Sequence, residues 1–314
     1  MKPEATTPPA ADARPAWMRQ QERGSLWLLR LMTRLSLGLG RRATRPLVAL
    51  IALYFLITAR AARQASRSYL SRCLGRPARW SDLYRHVHAF ASTIHDRVYL
   101  LNDRFALFDL QPIGHEAVDR QHSGEGRGLL LLGAHLGSFE VLRAQARHHG
   151  QLQLSVAMYL ENARQIHETL AAINPAAAPD IIPLGQLEAI LTVHQRLKEG
   201  RLVGMLADRA SGSDQYLQIP FLGEPAPFPC GPFRLAVMLG QPIYFMTGLY
   251  QGGNRYELHF HPLHLDPTLG GDREAQIRAL MAQYVAQLER YCRAAPYNWF
   301  NFYDFWHSPL PSQS

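Results

Sequence analysis

His135 and Glu140 are the residues of this chain best suited to moving a proton. They stand in the stretch Gly126-Arg127-Gly128-Leu129-Leu130-Leu131-Leu132-Gly133-Ala134-His135-Leu136-Gly137-Ser138-Phe139-Glu140. A carboxylate that accepts the Nδ1 proton of an imidazole fixes the tautomer and leaves Nε2 as a base, able to deprotonate a hydroxyl or an amine. On a continuous helix, residues five apart diverge by about 140°. The pair therefore needs a bend, and Gly133, Gly137 and Ser138 supply one. His194 and Glu199 share the spacing but lie inside 187–200, which reads as an amphipathic helix closed by a glycine, so they diverge. Spacing and context alone fit a catalytic pair and a buried, hydrogen-bonded histidine alike.

The elements that must hold such a pair follow from the apolar pattern. Four leucines between glycines suit a strand buried on both faces, as in a mainly parallel sheet. Glu140-Val141-Leu142 then opens a helix with an acid in its first turn. Further strands are predicted at 105–113, 152–158, 181–184, 201–207, 242–249 and 256–265, and helices from Ser81-Asp82 to Leu101, from Glu161, over 233–239 and over 272–295. This alternation predicts an α/β fold with a central, mainly parallel sheet flanked by helices, whose ligands gather at the carboxyl strand ends. Asp208 and Arg209 end the 201–207 strand and share a rim with His135. The stretch 219–232 carries five prolines and two glycines and reads as a rigid loop, with Phe221, Leu222 and Phe228 as an apolar wall for a ligand or as a structural cover. His259 and His261 share one face of a strand read as an exposed edge. His86, His88, His95 and Asp96 lie along the helix that ends at Leu101; His88 and His95 read as surface or capping groups, and no metal site is expected. The aromatic tail from Trp299 to Trp306 packs on the body or sits among headgroups; the residues leave both open.

With 314 residues, 47% hydrophobic and 18% charged, the chain can bury a full core. Residues 1–16 read as a disordered tail, 17–79 as a basic, membrane-associated helical arm, and 80–314 as the α/β domain. The net charge of +8 is concentrated in the arm, where fourteen arginines between Arg14 and Arg79 face one acid, Glu22. Such a field suits anionic lipid headgroups and would also suit nucleic acid. Three widely spaced cysteines argue against a disulfide framework or a thiolate metal site. From Trp17, Arg23, Arg30, Arg34 and Arg41 lie opposite an apolar face, as in an interfacial helix ended by Gly38 and Gly40. Residues 46–59 are uncharged and bracketed by Arg45 and Arg60. As a helix they span about 21 Å, short of the roughly 30 Å hydrocarbon core, so an interfacial or re-entrant insertion is preferred to a single pass or a core helix. Arginines crowd this run and it begins far from Met1, so it is not read as a signal peptide.

The stretch Gly133 to Glu140 resembles the His-x4-Glu signature of the lysophospholipid acyltransferase superfamily, in its branch of late lipid A (lauroyl and myristoyl) acyltransferases. Asp208-Arg209 is similar to that branch's Asp-Gln element, with arginine replacing glutamine. Pro220-Phe221-Leu222-Gly223 with Gly231-Pro232 is similar to its Pro-Phe-Phe-Gly and Gly-Pro block. The resemblance implies transfer of a fatty acyl group from an acyl carrier protein or coenzyme A thioester to a hydroxyl or amine of a lipid-like acceptor, at the cytoplasmic face of a bacterial inner membrane. His135 would be the general base and Glu140 its orienting acid, with Asp208, Arg209, Arg164, Phe221 and Gly223 at the substrates. No metal, redox cofactor or nucleic acid is implied. A serine hydrolase using Ser138 is the first rival, although no Gly-x-Ser-x-Gly elbow is present. A non-catalytic membrane or nucleic-acid tether is the second.

Overall fold

The computed structural model describes residues 26–125, 128–149, 153–159, 168–170, 172–174, 180–185, 187–209 and 214–307. The predicted tail, the start of the arm and the helix expected around Arg164 lie outside these residues. Four helices come first: α1 (Leu26–Leu39), α2 (Arg41–Thr58), α3 (Arg60–Leu74) and α4 (Trp80–Leu101). The body follows in the order β1 (Asp109–Ile113), α5 (His115–Glu125), β2 (Leu129–Gly133), α6 (Phe139–His149), β3 (Leu154–Tyr159), β4 (Asp180–Leu184), α7 (Leu187–Lys198) and β5 (Leu202–Leu206). It closes with β6 (Tyr216–Phe221), β7 (Glu224–Pro229), α8 (Gly231–Leu239), β8 (Ile243–Tyr250), β9 (Arg255–Leu263) and α9 (Arg273–Ala294).

Seven strands form one sheet in the order β1-β9-β8-β2-β5-β3-β4. Neighbours pair in parallel from β8 through β4, while β9 runs antiparallel to β8 and parallel to β1. The predicted α/β class with a mostly parallel central sheet is what the chain forms. β2 lies between β8 and β5, and its four leucines are wholly buried, as a doubly covered strand requires. Two readings are corrected. β9 is an interior strand, because β1, from far earlier in the chain, pairs along its outer side. The proline-rich stretch is a two-stranded hairpin of β6 and β7, turning at Leu222 (φ 53°) and Gly223 (φ 90°). A lone ribbon leaves both outer edges unpaired, so prolines cost it no sheet hydrogen bonds.

The arm is packed on the body. Arg41 makes a bidentate ion pair with buried Asp96 of α4, at 2.7 and 2.8 Å. Asp96 also accepts from Tyr256 (2.7 Å), and His95 bonds Thr44 (2.8 Å). Buried Tyr69 on α3 donates to the Pro296 carbonyl at 2.9 Å. α1 ends at Gly40, whose φ of 83° suits glycine, and α2 takes in both Arg41 and Pro46. No single helix among the described residues is long and apolar enough to cross a membrane; α2 and α3 form a pair bent by 95°. One face of α2 stays exposed along its length, through Leu47, Leu50, Leu53, Tyr54 and Ile57.

Candidate active site

Sheet register brings the reactive side chains together. β2 and β5 are parallel neighbours, with Gly133 opposite Leu206. Two residues further along each chain stand His135 and Asp208, so strands about 4.8 Å apart deliver them side by side at their carboxyl ends. His135 Nδ1 lies 2.9 Å from Asp208 Oδ1. A carboxylate can only accept there, so Nδ1 carries the proton and the lone pair of the neutral ring is on Nε2. Nε2 has no hydrogen-bond partner among the described residues, and the side chain is 36% exposed, so the basic nitrogen can be reached.

Asp208 is held as a buried, fully engaged anion. Its Oδ2 accepts from the His135 backbone N–H at 3.1 Å and from the Trp299 indole N–H at 3.1 Å. Burial alone would raise its carboxyl, but the His135 imidazole, the Arg209 charge and the His135 amide hold it well below the usual carboxylate range. The His135 imidazole is lowered as well. Surrounding protein and the Arg209 charge lower its imidazole more than Asp208 raises it, which keeps the ring neutral near pH 7.

This geometry corrects the expected pairing: Asp208, rather than Glu140, holds the His135 ring. Glu140 is the second residue of α6, and its carboxylate accepts from Arg143 Nη1 at 2.8 Å, with Arg97 of α4 at 3.9 Å. The bend at Gly137 (φ 72°) and the seating of Phe139 against Gly204 fix this direction. A side chain at Gly137 would collide with the Gly248 carbonyl, so this bend admits only glycine. Ser138 is buried, and its N–H donates to the Gly248 carbonyl (2.8 Å).

The other predicted site residues have different roles. Arg209 Nη2 donates to the Phe300 carbonyl at 2.8 Å, and its guanidinium lies 5.0 Å from the Tyr303 ring centre. It is thereby tied to the tail. Phe221 is wholly buried against Trp299, Phe228, Phe305 and Trp306, which makes it core and not a channel wall. Gly223 serves the hairpin turn. Arg164 lies outside the described residues.

The residues that sequence reasoning missed come from the C-terminal tail, which packs on the body. The Phe300 N–H donates to the His135 carbonyl (2.7 Å) and the Gly137 N–H to the Asn298 carbonyl (2.8 Å), clamping the loop from the far end of the chain. Two asparagines, Asn298 and Asn301, inside an aromatic run were the available signal, because such amides need partners. Trp299 is caged by Tyr69, Phe221 and Phe305 at 4.9 to 5.2 Å between ring centres.

Buried His86 braces the same segment. Its Nε2 donates to the Trp299 carbonyl (2.8 Å), and Nδ1 faces the Ser66 hydroxyl (2.7 Å). Burial lowers its imidazole to about 4, against a smaller upward pull from the carbonyl. A depressed histidine contributes stability above its unfolded pKa near 6.5, and that contribution is lost as pH falls towards the folded value. Unfolding free energy is expected to drop by up to about 3 kcal/mol across this window from His86 alone. Denaturant titrations should show a correspondingly flatter pH dependence in His86→Gln.

A histidine oriented by a buried aspartate at the carboxyl end of a parallel sheet is the layout of a general-base enzyme. The chain matches the family of bacterial lipid A biosynthesis acyltransferases over residues 16–308, and so belongs to that family; it is an acyltransferase. No curated protein matches the chain.

Proposed function

We infer that the protein transfers a fatty acyl group from a carrier-protein or coenzyme A thioester to a hydroxyl or amine of a lipid-like acceptor, with His135 as general base. Family membership supplies the reaction class. The observation that carries the mechanism is the accessible Nε2, without a hydrogen-bond partner among the described residues, of a ring whose Nδ1 proton is engaged by Asp208. Nε2 takes the acceptor proton as the acceptor oxygen or nitrogen attacks the thioester carbonyl. The C–S bond then breaks, and the imidazolium returns the proton to the departing thiolate. Asp208 stabilises the imidazolium in between. No acyl-enzyme intermediate is required.

The exposed apolar face of α2 and the arginine-rich arm support action at a membrane surface, with the cytoplasmic leaflet as the anionic partner. An acidic carrier protein would also be drawn to this field. The test is mass spectrometry of lipids from cells with and without the gene. One lipid lacking a single acyl chain in the deletion strain, restored by the wild type and not by His135→Ala, is the expected result. Identical lipid profiles would refute the reading.

A further inference from the structure

The arginines of α3 divide into two sets. Near its carboxyl end, Arg72 pairs with Glu224 at 2.6 Å, and Arg76 just beyond pairs with Asp82 at 2.8 Å. At its amino end, Arg60, Arg63 and Arg67 recur at the i, i+3, i+7 spacing of one helix face, and none has a carboxylate partner among the described residues. Arg63 spends its Nη1 on the Leu56 and Ile57 carbonyls at the end of α2, at 2.6 and 2.8 Å. Arg63 and Arg67 both lie over the ring of Trp80, 5.5 and 5.6 Å from its centre, and that indole is 58% exposed.

Two guanidinium groups gathered on one exposed indole repel each other unless an anion joins them. Their position says which anion. The exposed apolar stripe of α2 ends at Ile57, 64% exposed, the chain bends by 95°, and Arg60 follows immediately. A bilayer that receives Leu50, Leu53 and Ile57 places its phosphate layer at this bend, where an exposed tryptophan is also at home. We propose that Arg60, Arg63, Arg67 and Trp80 form a binding site for the phosphodiester headgroup of an anionic membrane lipid, which fixes the bend of the arm at the interface. The proposal deepens the membrane-surface reading and is independent of the chemistry at His135.

The test is vesicle flotation of the full chain. Arg60 and Arg67 make no hydrogen bond or ion pair with another described residue, so Arg60→Gln/Arg67→Gln leaves the fold intact, as circular dichroism would check. Partitioning onto phosphatidylcholine vesicles containing phosphatidylglycerol should fall about tenfold in this variant and be largely kept in Arg60→Lys/Arg67→Lys. Binding to pure phosphatidylcholine should not change. Added salt should weaken wild-type binding to the anionic vesicles only. The proposal is overturned if the Gln variant binds anionic vesicles like the wild type, if neutral vesicles lose it equally, or if only affinity for an acidic acyl carrier protein falls. His135→Ala should bind vesicles normally, which separates failure of this site from failure of the catalytic reading.

Discussion

His135→Ala is expected to slow acyl transfer by roughly 10² to 10⁴, the contribution of a positioned general base. The effect should fall on chemistry rather than on folding. The His135 ring is 36% exposed, and the loop is clamped through backbone groups, the His135 carbonyl by Phe300 and its amide by Asp208. The variant leaves Asp208 with the Trp299 indole and the residue-135 amide, so its charge stays solvated by two donors. Initial rates with an acyl thioester, beside a thermal melt, decide the matter. Near-normal turnover in a folded variant would remove His135 from the mechanism.

Asp208→Asn is expected to cost a comparable factor, of the order of 10² to 10⁴, and Glu140→Gln less than about tenfold. The aspartate meets three donors with two acceptor oxygens: the His135 Nδ1–H, the His135 amide and the Trp299 indole. Asparagine has one acceptor oxygen, so its amide nitrogen must face an N–H. The ring relieves that clash by carrying its proton on Nε2, which abolishes the base. Glu140→Gln leaves these contacts alone and weakens the tie to Arg143. The pH profile sharpens the contrast. His135 titrates below its ordinary value, so the acidic limb of kcat/KM should lie below about pH 6.5. Asp208 pulls that value upward, so the residual activity of Asp208→Asn should rise with pH at a still lower value, whereas Glu140→Gln should leave the limb in place.

Much of this arrangement was legible in the sequence, because local chemistry wrote it there. The leucines of β2, the glycine bend after it, the helix at α6 and the polar end of β5 all declare themselves over short windows. The partner of His135 did not, since spacing along the chain favoured Glu140 while strand pairing chose Asp208, 73 residues away. Which strands become neighbours is a tertiary matter: β3 and β4 intervene in sequence between β2 and β5 and are placed outside them. The same reason hid β1 beside β9, and the clamp of Asn298, Trp299 and Phe300 on the His135 loop. The hairpin of β6 and β7 was obscured by prolines, which exclude a central strand and not a free ribbon.

The hydrogen bond that holds the imidazole can be observed directly by NMR of the protein labelled with 15N in histidine. His135 should show a protonated Nδ1 with a strongly downfield proton and an unprotonated Nε2 near neutral pH. That resonance should persist in Glu140→Gln and vanish in Asp208→Asn. Its loss in Glu140→Gln with survival in Asp208→Asn would contradict the assignment of Asp208 as the residue that holds the base.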